Sequence, residues 1–228
     1  MAFDLATDAE PLRLAQIREA TERVSGNPGA ILQNAGAALF PEVAAAVADF
    51  AYSPRHENGL YAMIDVGAGT FDCCTFNLVH LPDGTTTCPI FAADVQLLGV
   101  EPWRACEGDP EAEAAFRHSL DVCARTVIWQ TRTRGYPSSD RWAEGLPLFL
   151  VGGGKYSRTH RECAEALTPW IRENLGADRY PYPYLNAGVP IVAPPAPALI
   201  ECACNESQSR RLIVAVGLSL PADRIPAV

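Results

Sequence analysis

The chain has 228 residues, 48% of them hydrophobic and 20% charged, and a net charge of −9 from 27 acidic against 18 basic side chains. That is the makeup of a folded domain with a core that needs no disulfide staples, not of a disordered chain. The charge excludes the basic footprint of a nucleic-acid binder and makes an anionic membrane surface repulsive on average, and no apolar run approaches bilayer length. Backbone amides can still hold a phosphate locally, because they do so without net charge.

Residues 1–10 hold three acids and no apolar stretch of signal-peptide length. Eight cysteines are far too sparse for a disulfide scaffold, so reduced thiols in the cytoplasm are expected. Residues 9–24 place Leu14, Ile17, Ala20 and Val24 at helical spacing, and the Ser-Gly-Asn-Pro-Gly run from Ser25 stops that helix. A second helix, of mostly small side chains, is expected over residues 41–51, with Pro41 in its first turn. Three strands in a meander follow, over residues 60–65, 70–79 and 85–95, with Pro82, Asp83 and Gly84 turning the chain between the last two.

Residues 110–134 read as one long helix whose apolar side is marked by Ala115, Leu120, Cys123, Val127 and Ile128. Residues 147–151 form a continuous apolar run, expected as a fully buried strand, and a helix follows over residues 157–174. Six prolines make residues 176–197 a loop with a short strand over 189–192. A last strand over 198–203 and a last helix over 208–219 complete the order. Three antiparallel strands followed by alternating helix and strand predict an α/β fold with one mixed sheet. The expected division is an N-terminal helical segment, residues 1–34, and one domain over residues 35–228.

Two glycine turns carry the chemistry. In the first, Asp65 ends a strand, Gly67, Ala68 and Gly69 follow, and Thr70 and Asp72 open the next strand. A hairpin turn needing positive φ would account for a lone Gly-x-Gly. Two carboxylates flanking amides that can face an anion make sense with Mg²⁺ between them, since that ion takes oxygen ligands. The third glycine of a dinucleotide-binding fingerprint is missing, and a strand follows where a helix should. In the second turn a buried strand runs through Gly152, Gly153, Gly154 and Lys155 into a helix N-terminus, which presents amides and a positive dipole end. It lacks the leading glycine and the hydroxyl of a Walker A loop.

Together the turns resemble a known family. Residues 62–78, AMIDVGAGTFDCCTFNL, look like the second phosphate motif of the actin-like ATPase superfamily, closest to the seventy-kilodalton heat-shock chaperones. Residues 148–157, LFLVGGGKYS, look like its adenosine motif, and residues 41–51 and 212–220 like its two connecting helices. Leu98, Gly99, Val100 and Glu101 echo the segment after the third strand in the chaperones.

The resemblance implies the ribonuclease-H-like second lobe of a two-lobe ATPase with ATP and Mg²⁺ as ligands. Asp65 would sit at the Mg²⁺ and its waters. Gly67, Ala68 and Gly69 would contact the β and γ phosphates, and Thr70, with Asp72 beside it, would face the terminal phosphate. Gly152, Gly153, Gly154 and Lys155 would lie along the adenosine. The chaperones hold the base with a Glu-x-x-Lys pair; here Arg125 stands at the basic position and Val122 at the acidic one, and Ala68 replaces the commoner glycine.

Asp4, Leu5, Ala6 and Thr7 echo the first lobe's phosphate motif with Ala6 in place of its glycine, and about thirty residues to the first connecting helix are fewer than a lobe needs. The expectation is therefore a piece of a two-lobe protein whose partners are nucleotide and the missing first lobe or another protein. The apolar faces of the helices over 9–24 and 110–134 would be left uncovered, favouring a homodimer. Weak nucleotide binding and negligible turnover by the chain alone are expected. The alternative is a degenerate lobe kept as an interaction module; a sugar or acetate kinase of the same superfamily is a third reading.

Other constellations are weaker. His160 and Cys163 with Cys202 and Cys204 have acceptable Zn²⁺ spacing, against which His160 is expected in an exposed first turn and free cysteines commonly pack as small hydrophobes. Cys73 and Cys74, neighbours in a strand, should face opposite layers. The four tryptophans read as core or subdomain contacts.

Overall fold

A computed structural model describes residues 2–4, 38–40, 42–51, 57–144, 146–176, 191–192 and 226. Strand β1 (Ala2–Asp4) pairs antiparallel with β2 (Ala38–Phe40), so the expected division after residue 34 is crossed by a strand pair. Helix α1 (Glu42–Ala51) follows. Residues 43–48 of this helix are all buried, so both of its sides are covered, as small side chains allow.

The main sheet is built on β3 (Gly59–Val66), whose residues 60–64 are buried on both faces. On one side β3 pairs antiparallel with β4 (Phe71–His80), from Gly59 opposite Leu78 to Val66 opposite Phe71. The turn at residues 81–85 is the one its residue types demand: Gly84 has φ +86°, its amide donates to the Leu81 carbonyl at 3.0 Å, and the Thr85 amide donates to Asp83 Oδ1 at 2.9 Å. The third strand comes in two pieces, β5 (Thr86–Thr87) and β6 (Ile90–Gln96), both antiparallel to β4. The break falls at Pro89, which has no N–H to give a ladder, beside a register shift at Thr75 and Phe76.

On its other side β3 pairs in parallel with β7 (Leu148–Val151), a wholly buried strand, and β7 pairs in parallel with β8 (Ile191–Val192). Taking β5 and β6 as one position, the sheet order is third, second, first, fourth, fifth, with the second strand reversed. The meander and the mixed sheet expected of the sequence are present. The expected helices over 9–24 and 208–219 and the strand over 198–203 lie outside the described residues.

Between β6 and β7 run α2 (Val100–Cys106), which the sequence reading missed, α3 (Pro110–Gln130) and α4 (Arg141–Glu144). Asp109 caps α3, accepting from the amides of Glu111 at 3.0 Å and Ala112 at 3.2 Å, with Pro110 in the first turn. A wider turn over Thr131–Gly135 ends it. The buried Thr131 hydroxyl donates to the Val127 carbonyl at 3.1 Å and meets the Thr75 hydroxyl of β4. After β7 a 3₁₀ turn, Gly153–Tyr156, leads into α5 (Arg158–Ile171).

Helices α3 and α5 cover one face of the sheet and run parallel. Phe116 meets His160, Arg117 pairs with Glu162, Arg125 lies over Trp170 and Arg132 reaches the Leu175 carbonyl, so position advances together along both. The apolar side of α3, Phe116, Leu120, Cys123, Ala124, Val127 and Ile128, is buried there. Phe116 belongs to this side and Ala115, assigned to it from sequence, is exposed. Val122 and Trp129 of this helix stay exposed, and the other helix expected to carry an uncovered face, over 9–24, lies outside the described residues. Cys73 faces this layer and Cys74 the α1 layer, as strand alternation requires.

On the α1 face, Phe149 of β7 is the hub of an aromatic cluster, with ring centroids 5.1 Å from Phe50, 5.6 Å from Tyr61 and 6.3 Å from Phe76. Phe149→Ala should lower unfolding free energy by about 3–5 kcal/mol in a urea titration, from lost burial plus a cavity that four elements bound.

Candidate functional site

Because β3 and β7 are parallel and Asp65 stands opposite Val151, both strands end at one edge of the sheet. The hairpin of residues 67–70 and the turn of residues 152–154 therefore lie side by side. Gly152 has φ +84°, and a Cβ there would fall onto Asp65 Oδ1 and come within 2.5 Å of the Val66 carbonyl oxygen. Only glycine permits both the backbone angle and the approach. A Cβ on Gly154 would come within 2.5 Å of Val66 Cγ1 and Val100 Cγ2.

The hairpin is fixed from one side. Gly67 donates its amide to the Thr70 carbonyl at 2.9 Å. The amides of Gly99, Val100 and Glu101, at the start of α2, donate to the carbonyls of Gly69 (3.1 Å), Gly67 (3.2 Å) and Ala68 (2.8 Å). In a trans peptide unit C=O and the following N–H point opposite ways. With the carbonyls of residues 67–69 turned to α2, the amides of Ala68, Gly69 and Thr70 face the other side, where they take no backbone acceptor among the described residues. That leaves a row of donors suited to an anion. Neither Gly67 nor Gly69 has positive φ, so the turn does not need glycine for its backbone angles. A Cβ on Gly69 or on Gly153 would meet nothing within 4 Å.

Asp65 and Asp72 stand directly opposite across β3 and β4, on the α1 face, and both charges bear on Cys74 beneath them. Burial pushes the Asp72 carboxyl above its ordinary range, and a hydrogen bond from the Thr70 hydroxyl partly offsets this. Asp72 Oδ1 is buried and has no hydrogen-bond partner. Two carboxylates and a hydroxyl suit a hard divalent cation. Among the described residues no three metal-binding side chains converge, so Mg²⁺ here would draw the rest of its shell from water and phosphate oxygens.

The structure thus brings Asp65, Gly67, Ala68, Gly69, Thr70, Asp72 and Gly152, Gly153, Gly154 to one edge. Lys155 is buried, its ammonium 5.4 Å from the Tyr156 ring centroid. Arg125 lies elsewhere. Its guanidinium is 5.0 Å from the Trp170 ring centroid and pairs with Asp121 at 2.7 Å, and Trp170 lies some three turns, or about 18 Å at 1.5 Å per residue, beyond the start of α5. Val122 is exposed.

Sequence reasoning missed two contributors. Gly99 was noted only as an echo; a Cβ on it would come within 2.6 Å of the Ala68 oxygen and the Thr70 nitrogen. His160 was expected to be exposed and is fully buried. Its Nε2–H donates to the Leu98 carbonyl at 2.7 Å, so Nδ1 accepts from the Ser157 hydroxyl at 2.8 Å. Phe71 and Phe116 flank the ring. Both ring nitrogens being engaged, His160 is not a Zn²⁺ ligand in this state; Cys202 and Cys204 lie outside the described residues. Burial raises the thiols of Cys73 and Cys74 and pushes those of Cys88, Cys123 and Cys163 up to about 12, which removes them as nucleophiles. No protein-family model matches the chain, and no curated protein matches it.

The buried Asp72 carboxyl sets a pH signature. A carboxyl raised by folding leaves stability intact below its unfolded value, near pH 4, and removes it as pH rises through the folded value. Because burial is what disfavours the carboxylate, Asp72→Asn should be more stable than the wild type at pH 7, with the difference gone near pH 4. Urea titrations at the two pH values measure it.

Proposed function

We propose that the chain is the ribonuclease-H-like, nucleotide-binding lobe of an actin-like, chaperone-like ATPase, holding ATP and Mg²⁺ at the paired glycine turns. The observation that carries this reading is the row of three outward amides at Ala68, Gly69 and Thr70, set beside Asp65 and Asp72 and against the glycine turn after β7. The strand order, with its reversed second strand, fits the same reading. The amides of Ala68, Gly69 and Thr70 would hold phosphate oxygens, while Gly67, whose own amide is committed to the turn, shapes the loop. Asp65 and Asp72 would hold Mg²⁺ or its waters, and the Thr70 hydroxyl would lie toward the terminal phosphate. Bound Mg²⁺ would neutralise developing phosphate charge. Gly153, with open space around it, would border the adenosine. All six described cysteines are free, in keeping with a reducing compartment, the cytoplasm. No described helix is long and apolar enough to cross a membrane.

One observation favours the second reading, an interaction module that has lost nucleotide: Arg125, the candidate base contact, is engaged with Asp121 and Trp170. Titration calorimetry separates the two. ATP with Mg²⁺ should bind the wild type, and Asp65→Ala should abolish binding. Gly69→Ala should weaken it about tenfold, or ~1.4 kcal/mol, at an equal or slightly higher melting temperature, since the added methyl meets no atom of the described residues and a ligand there would feel it. Identical titrations for wild type and Asp65→Ala would favour the interaction module.

Phosphoryl transfer rests on positioning and charge neutralisation around the terminal phosphate, and on closure that excludes water. The chain alone supplies acids, amides and a hydroxyl, and the other half of that shell belongs to a first lobe or partner protein. A phosphate-release assay should find negligible turnover by the chain alone. Steady Mg²⁺-dependent turnover that Thr70→Ala removes would contradict this.

A further inference from the structure

The two glycine turns are joined by a second route besides the β3 and β7 pairing. It runs from Ser157, which closes the 3₁₀ turn, through His160 to Leu98, and from there through Gly99, Val100 and Glu101 to the hairpin carbonyls. Each link is a hydrogen bond of 2.7–3.2 Å. The one side chain in the route that touches both ends is His160. Its ring is held in place by Phe71, the first residue of β4, and by Phe116 of α3, at centroid distances of 6.1 and 5.8 Å.

The Ser157 hydroxyl is available to the ring because it does not cap α5: that position makes no side-chain cap bond to the helix. A serine at an N-cap ordinarily accepts from an amide two or three residues on. Here it donates to Nδ1, because the Leu98 carbonyl can only accept and so fixes the Nε2–H tautomer. The Leu98 carbonyl would otherwise be a free acceptor next to the residue whose amide holds Gly69.

We propose that His160 is a positioning residue for the anion cradle. By holding the Leu98 carbonyl it keeps the amides of Gly99, Val100 and Glu101 on the hairpin carbonyls, so that the amides of Ala68, Gly69 and Thr70 stay turned to the ligand, and it couples that arrangement to the turn at residues 152–157. The ligand part of this assignment rests on the nucleotide reading above; the hydrogen-bond route does not. His160 touches no ligand itself and acts through Leu98.

The decisive measurement needs no ligand. His160→Phe keeps ring volume and the contacts with Phe71 and Phe116 but removes both hydrogen bonds. His160→Gln keeps a side-chain N–H for Leu98. Amide hydrogen exchange should quicken tenfold or more at Gly99, Val100 and Glu101 in His160→Phe and stay within about threefold of wild type in His160→Gln, with exchange along the β3 and β7 ladder unchanged in both. If His160→Phe does not fold, Ser157→Ala removes the hydrogen bond that holds the ring from the turn side and should quicken the same three amides two- to threefold. A residue that only filled the core would speed exchange across α3, α5 and β4 together, or leave residues 99–101 tracking the core; either result overturns the proposal. Calorimetry then tests the ligand arm with two probes, pyrophosphate with Mg²⁺ and adenosine. In His160→Phe pyrophosphate affinity should fall about tenfold and adenosine affinity less than twofold; equal losses overturn the proposal. A wild type that binds neither probe sinks the nucleotide reading, and the exchange result still decides the role of His160.

Discussion

Everything at the candidate site follows from the parallel pairing of β3 with β7. Antiparallel pairing would have put the two glycine turns at opposite ends of the sheet. Parallel pairing, in the register that sets Ala62 against Leu148 and Asp65 against Val151, ends both strands at one edge. Register matters as much as direction. Strand side chains alternate faces, so a slip of one residue would turn Asp65 toward the α3 and α5 layer and Ile64 toward α1. The burial of residues 60–64 on both faces holds that register, because any slip would also misplace Leu60, Ala62 and Ile64.

Close approach is the second constraint, and it divides the glycines by cause. Gly99, Gly152 and Gly154 lie against other backbone or buried side chains, and each admits its neighbour only by lacking a Cβ. Gly69 and Gly153 face open space, at ordinary backbone angles. Packing and conformation account for the first three and not for the other two. A surface glycine with no demand from the fold weakens the chain slightly through its backbone freedom. Two of them lie at one edge, beside amides without backbone acceptors and a carboxylate oxygen without a donor among the described residues, and the proposed ligand would account for the three together.

Much of the architecture was legible because its signals are local. The turn at Pro82, Asp83 and Gly84, the long run of residues 110–134 and the apolar strand before Gly152 each declare themselves within a few residues. What was not legible depends on contacts across the chain. Helix α2 begins straight after Gly99 without a capping side chain, since its first amides are satisfied by hairpin carbonyls some thirty positions earlier, and no local pattern announces such a cap. His160 reads as exposed because it falls in the first turn of its helix, yet helical spacing turns it inward with Ala164 and Leu167. Ala115 and Phe116 exchange places for the same reason: one residue of helix is about 100° of rotation, and the apolar stripe alone does not fix which edge is buried. For the site, residue types were legible and geometry was not. Asp65 and Asp72 could be named, but that they stand directly opposite depends on the hairpin register.

The two halves of the site differ in how they are made. The hairpin side, where the nucleotide reading would put phosphate, is backbone: amides aimed by hydrogen bonds from other amides to the paired carbonyls, in a geometry that needs glycine at 99, 152 and 154. Its hold on an anion depends little on which side chains line the edge. The base side has no such support. Recognition of a particular base requires side-chain donors and acceptors, and the candidate among them, Arg125, is held three helical turns away by Asp121 and by the face of Trp170. Because α3 and α5 run parallel, sliding Arg125 toward the glycine turn would drag Arg117 from Glu162 and Phe116 from His160. The fold therefore fixes the hairpin amides firmly and holds Arg125 apart from them along the helix seam, so under the proposed nucleotide reading phosphate binding and base selectivity would be set by separate parts of the structure.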